Sequence, residues 1–289
     1  MGTKKSFAIA VVVLTLTATN ARSQTATAVE FPGAMHTRPH GINSSGEISG
    51  IYVNPDNSVH SFLLDRNGFT TIDIAGAIGT NALRINAQGE IVGFYLPSSG
   101  TGRGFLWRRG TFSDIDFPGT VMNSSNGINA RGDIVGQYND TPGIPQHGYL
   151  LSKGNFVPID VPGAVRSTAF DINERGDIVG AYAGADGTNH LYLLSSGVFT
   201  TIDVPGAIGT LGTGNAGSLA GINAKGEIVG AYRGPDGKTR GFVRNADGYS
   251  TIDFSDTMST RVTGINPQGD LVGYYRDLDG WDHGFLIRR

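Results

Sequence analysis

The dipeptide Ile-Asn recurs six times along this chain, at Ile42-Asn43, Ile85-Asn86, Ile128-Asn129, Ile172-Asn173, Ile222-Asn223 and Ile265-Asn266, with spacings of 43, 43, 44, 50 and 43 residues. A period of this length marks one supersecondary unit stacked on copies of itself, because a single unit cannot bury its apolar face alone. Each copy reads Ile-Asn, two spacer residues, Gly, an acid and an apolar stretch ending Gly-x-Tyr. A polar loop follows, then His or Arg before a Gly-Phe-Leu-like run, then a segment resembling Phe-Thr-Thr-Ile-Asp-x-Pro-Gly-Ala.

The punctuation within a copy predicts four short strands. Asn-x-x-Gly, as in Asn86-Ala87-Gln88-Gly89, places Asn first in a type I turn and Gly where a positive φ is needed. Asp186-Gly187, Asp236-Gly237 and Asp279-Gly280 mark a second tight hairpin. Between them lie short β-branched and aromatic runs such as Ile228-Val229 and Phe285-Leu286-Ile287, and no helical period competes with them. The 44 glycines and the 16% of charged residues suit such a turn-rich chain. The last copy stops at Arg289 after its third strand, and Thr27 to Ala34 match the fourth strand of the others. The expectation is an all-β, six-bladed β-propeller with four-stranded blades, the N-terminal strand closing the last blade so that no edge is left at the seam.

Ahead of the repeats, Lys4 and Lys5, an uncharged run from Phe7 to Leu16 and small residues at Ala18, Ala21 and Ser23 have the layout of a secretory signal. The chain therefore divides into a signal peptide, 1–23, and a single propeller domain, 24–289, secreted or periplasmic after cleavage. The apolar run is shorter than the roughly 20 residues a membrane-spanning helix needs, so no membrane span is expected. The absence of cysteine excludes disulfides, thiolate metal sites and thiol nucleophiles. Cleavage removes three cations and no acid, taking the formal charge from -3 to -6. With no clustered Lys or Arg, nucleic acid is not an expected partner. A monomer is expected.

The succession Gly-Ile-Asn, Gly-x-Ile-Val-Gly, His-Gly-Phe-Leu resembles the bacterial extracellular repeats called the HAF family, and the likeness covers all six copies. It implies an exported repeat protein and transfers no functional residue. Gly or Ser usually stands where the name-giving His-Ala-Phe has Ala.

Three positions recur with polar chemistry. His60, Arg103, His147, His190, Arg240 and His283 precede the third strand, and Tyr52, Tyr95, Tyr138, Tyr182, Tyr232 and Tyr275 lie eight or nine residues earlier, across the same hairpin. Asp73, Asp116, Asp160, Asp203, Asp253 and Glu30 end the fourth strand. Two readings stay open. The three form a network that fixes each blade, resembling the structural His and Asp of WD-repeat propellers, or they form equivalent sugar-binding clefts in which Tyr stacks and the charged groups fix hydroxyls. A further acid follows each Asn-x-x-Gly turn (Glu47, Glu90, Asp133, Asp177, Glu227, Asp270) and reads as strand-end solvation, since six equivalent carboxylates lack the unlike roles that acid–base catalysis requires.

Broken symmetry is the other signal. The residue before Ile-Asn is Gly in four copies but Arg84 and Asp171 in two, on the expected innermost strand, where both would face the channel. The fifth copy carries an insertion, Leu211 to Gly217, and Trp281 stands where other loops have Ser58, Thr101, Pro145, Thr188 or Lys238. Asp277 to Asp282 is shorter than a calcium loop and reads as a turn. No zinc pattern, nucleophile elbow or phosphate loop occurs, so no metal or cofactor is expected.

The leading expectation is a non-enzymatic, lectin-like binder of a glycan or cell-surface polymer, using the Tyr and His/Arg rings with Arg84, Asp171 and Trp281 as further candidates. The alternatives are an exported polysaccharide hydrolase or lyase at the channel mouth, with Arg84 and Asp171, and a protein-interaction scaffold.

Overall fold

A computed structural model of the chain describes residues 25–98, 100–141, 146–210 and 219–289. Every regular element among them is a strand. The third repeat shows the unit plainly: Met122–Ile128, Ile134–Asn139, Gln146–Ser152 and Asn155–Ile159 pair in sequence as an antiparallel four-stranded meander. The fourth repeat repeats this with Arg166–Ile172, Ile178–Ala183, Asn189–Ser195 and Val198–Ile202.

The other repeats are joined in larger ladders, so strand pairing yields four sheets. An eight-stranded sheet arises where the first two repeats meet through one parallel pair, Val59 with Gly79. A nine-stranded sheet arises the same way at Thr239 and Ser259. Both contacts occur where the chain, leaving one fourth strand, passes the third strand of that repeat on entering the next. The N-terminal strand Ala26–Val29 joins the nine-stranded sheet, pairing Ala26 with Ile287 and Val29 with Gly284.

Each Asn-x-x-Gly segment is a turn in which the Gly N–H returns to the Asn carbonyl, with φ of +76° to +102° at Gly46, Gly89, Gly132, Gly176, Gly226 and Gly269. The Asn side chain does more than start the turn. Its Oδ1 accepts backbone N–H bonds from residues of its own turn, and its Nδ2 donates to the acid four residues on. That acid is thus a partner of the Asn amide, and Asp133, Asp177 and Asp270 are buried, which corrects the expectation of strand-end solvation. Nδ2 also reaches the next repeat. Asn43 donates to the carbonyl of Asn86, Asn86 to Asn129, Asn129 to Asn173, Asn173 to Asn223, Asn223 to Asn266 and Asn266 to Asn43, at 3.0 to 3.3 Å.

The core lies between neighbouring sheets. Its anchors are the third-strand aromatics Phe62, Phe105, Tyr149, Tyr192, Phe242 and Phe285, all fully buried. Burying one such ring stabilises the fold by roughly 1.5–3 kcal/mol. The Gly of Gly-x-Tyr lies against that ring: a Cβ on Gly136 would sit 2.7 Å from the Tyr149 ring. The Gly before Ile-Asn has an equally steric cause, since a Cβ on Gly127 would come within 2.7 Å of the Asp171 Cα on the adjacent innermost strand. At Gly41, Gly127 and Gly264 the first strands of neighbouring repeats nearly touch.

Candidate functional site

Hairpin register sets each Tyr directly opposite its basic residue, from Tyr52 and His60 through to Tyr275 and His283. In the four His copies the rings stack at 5.0 to 5.2 Å between centroids. The imidazole Nδ1 then meets the fourth-strand acid: Asp73 at 2.6 Å, Asp160 at 2.8 Å, Asp203 at 2.9 Å and Glu30 at 3.1 Å. Where Arg replaces His, Arg240 Nε lies 3.1 Å from Asp253, and Arg103 lies 3.6 Å from both Asp114 and Asp116. Six like units, each a Tyr, a cation and a carboxylate, therefore stand at one register of the repeat.

In two of the units the phenol is the covered member. Tyr52 is sandwiched by His60 and by Phe31, whose ring stacks at 3.6 Å, and Tyr138 by His147 and Phe117 at 3.9 Å. Both are buried. The Tyr52, Tyr182 and Tyr232 hydroxyls are held by Thr71, Thr201 and Thr251, and Tyr95 donates to Asp114. Burial, then that carboxylate, pushes the Tyr95 phenol up. The accessible edges belong to the charged groups, with the Asp116, Asp160 and Asp203 side chains about half exposed. His283 is gripped on both nitrogens, by Glu30 and by Asp277 at 2.9 Å. Burial opposes its protonation, yet the hydrogen bond it donates to Asp277 and the charges of the two carboxylates raise its pKa above the ordinary value.

Arg84 and Asp171 meet at the centre, Nε to Oδ2 at 3.1 Å, both nearly inaccessible. The Arg84 guanidinium donates to the carbonyls of His40 and Ala220 at 2.7 Å and of Thr263 at 2.8 Å, while Asp171 accepts from the N–H groups of Ile172 and Ile222. One side chain thereby links the first-strand segments of five repeats. Burial pushes the Asp171 carboxyl up and the Arg84 charge opposes this. The space beside this pair, ringed by the Ile-Asn residues, amounts to about 80 Å³, well below the roughly 300–1,000 Å³ of a small-molecule site.

Trp281 is 39% exposed and tilts against His36, ring centroids 5.5 Å apart. In the first and fourth repeats the residue two before His is Ser58 or Thr188, whose hydroxyl bonds the imidazole Nε2. Trp281 cannot do this, and Asp277 takes over. Asp277 is thus spent on His283 and the Trp281 N–H, and Asp282 on Arg38 and Arg276. No group of three or more metal-ligating side chains converges among the described residues. The 211–217 insertion and Pro145 lie outside those residues.

A second opening, unmarked by any repeat position singled out in the sequence, is larger. A cavity of about 610 Å³ is walled by first-strand residues Asn81, Leu83, Thr168 and Phe170 together with Phe94 and Gln137. Phe94 and Gln137 occupy the x of Gly-x-Tyr, which runs Ile51, Phe94, Gln137, Ala181, Ala231, Tyr274. That variability inside a constant frame is the signal that would have pointed here.

No protein-family model matches the chain, and no curated protein matches it in sequence. Solved structures do match in shape. A mutant of the Aleuria aurantia lectin in complex with Fucα1-6GlcNAc aligns over 88% of this chain and 93% of its own at 10% identity and a TM-score of 0.54. The β-propeller domain of the Trilobed protease from Pyrococcus furiosus, with an open velcro topology, aligns over 91% and 84% at 13% identity and 0.57. A protein of unknown function from Dyadobacter fermentans aligns over 91% and 98% at 12% identity and 0.55. At these identities the likeness is one of fold: the chain has the all-β, four-stranded-sheet architecture of a β-propeller-type repeat protein.

Proposed function

We propose that the chain is an exported, HAF-like repeat protein whose residues 24–289 form one six-bladed, ring-closed propeller that binds a glycan or cell-surface polymer without catalysis. Six blades and closure are supported by the Asn amide bonds, which pass through all six repeats and return to Asn43, and by the pairing of the N-terminal strand with the last repeat. A leader of the type at 1–23 would deliver it to the periplasm or beyond.

The observation that carries the binding reading is the sixfold recurrence of a basic group paired with a carboxylate, the carboxylate being about half exposed at Asp116, Asp160 and Asp203. Such pairs offer donors and acceptors at fixed spacing to sugar hydroxyls, and repetition turns weak sites into avidity. The Tyr rings orient the basic groups, and Trp281 adds one exposed stacking surface. The lectin among the structural neighbours supports the fold's suitability for such binding. Nothing favours the hydrolase or lyase reading, because the hydrogen-bonding groups of Arg84 and Asp171 are directed at the strands and at each other.

The test is incubation with a panel of soluble and insoluble polysaccharides, scoring depletion of protein and release of reducing or unsaturated ends. Depletion without product is expected. Product release, or no depletion by any polymer, overturns the reading.

A further inference from the structure

The 610 Å³ cavity breaks the repeat symmetry and has a chemistry of its own. No charged side chain lines it, and its size falls within the roughly 300–1,000 Å³ of small-molecule sites. One wall is apolar, from Leu83, Phe94 and Phe170. Ile78 and Leu96 also line it and are 63% and 38% exposed, so the apolar wall continues to solvent. Among these walls stand Asn81, Gln137 and Thr168, for whose side chains no hydrogen bond is formed among the described residues. Thr168 is only 2% exposed, so its hydroxyl has the cavity as its outlet.

Two classes of ligand are excluded by these facts. An ion would be stripped of water with no countercharge in the wall, which costs several kcal/mol. A plain hydrocarbon would leave a hydroxyl and two amides unpaired, at about 1–3 kcal/mol for each group that loses water. What fits has hydroxyl or amide groups on one side and an apolar face or substituent on the other. Side-chain amides and hydroxyls both donate and accept, as sugar hydroxyls do.

We propose that this cavity is a single binding site for an uncharged sugar bearing an apolar substituent, one per chain and separate from the sixfold rim units. It does not depend on the rim reading, and stoichiometry separates the two, one site against six.

The test is titration of the protein with p-nitrophenyl glycosides of neutral hexoses and N-acetylhexosamines, alongside the p-nitrophenyl uronides. At least one neutral glycoside is expected to bind once per chain, and its uronide counterpart about tenfold or more weakly, the equivalent of about 1.4 kcal/mol. Gln137→Tyr places in the cavity a side chain that the repeat already carries at Tyr274 and should weaken binding by more than about tenfold. Thr168→Val removes only the unpartnered hydroxyl and should weaken it about 3- to 10-fold without lowering the melting temperature, so it decides the matter if the larger replacement misfolds. Absence of binding by every neutral glycoside, equal binding of the uronides, six sites per chain, or unchanged affinity in the folded variants overturns the proposal.

Discussion

Replacing Arg84 by Met keeps most of the buried stem and removes the guanidinium. The variant loses three charge-assisted bonds of 2.7 to 2.8 Å to carbonyls of three different strands, and it strands Asp171, which is left with two backbone N–H donors. Removing one partner of a buried ion pair typically costs about 3–5 kcal/mol. For a domain of this size each kcal/mol moves the melting temperature by about 2–4 °C, so a fall of about 6–20 °C is expected. The pH dependence identifies the cause. Burial already raises the Asp171 carboxyl, and without Arg84 its folded-state pKa rises further above the unfolded value. Its protonation then favours the folded state at low pH, so the deficit relative to the parent protein should be larger at pH 7 than at pH 5. Arg84→Met with Asp171→Asn should recover much of the loss at pH 7. Urea unfolding followed by the fluorescence of Trp107 and Trp281 at the two pH values measures all of this. A cost under about 1 kcal/mol with no pH dependence would refute the pinning argument.

His40 is wholly buried, and burial, outweighing its bond to the Ala82 carbonyl, lowers its pKa to about 3. The folded protein therefore resists the proton that the unfolded chain accepts below about pH 6.5, and stability should fall by about 1.4 kcal/mol per pH unit between pH 6 and 4. His40→Thr, the residue at the matching position Thr263, should flatten that slope in urea titrations. The raised pKa of His283 works in the opposite sense: its stabilising contribution is complete below about pH 6.5 and disappears as pH rises through the folded value, so His283→Gln should lose more stability at pH 6 than at pH 9. Asn129→Ala takes one of its donors from Asp133 and unpairs two turn N–H groups and the Asn173 carbonyl; a loss of at least about 2 kcal/mol is expected in chemical denaturation. Deleting 24–34 exposes the last repeat's third strand and should produce aggregates visible by light scattering.

How much was legible in the sequence follows from distance along the chain. Within one repeat, turn chemistry and strand alternation act over fewer than about 20 residues. The Asn-x-x-Gly turns, the opposition of Tyr138 to His147 and the pairing of His147 with Asp160 could therefore be read from spacing. Signals that act between repeats could not. Phe117 covers Tyr138 from across a repeat boundary, which turns a prospective stacking platform into a filled sandwich. Arg84 and Asp171 were visible as exceptions to Gly, but their meeting, and the closure of the guanidinium on His40, Ala220 and Thr263, depends on the first strands of different repeats converging. The cavity beside Thr168 is the same kind of fact. A periodic sequence determines each unit and the faces it buries, while the approach of units to one another, and the space left where they do not fill it, are set only by packing in three dimensions.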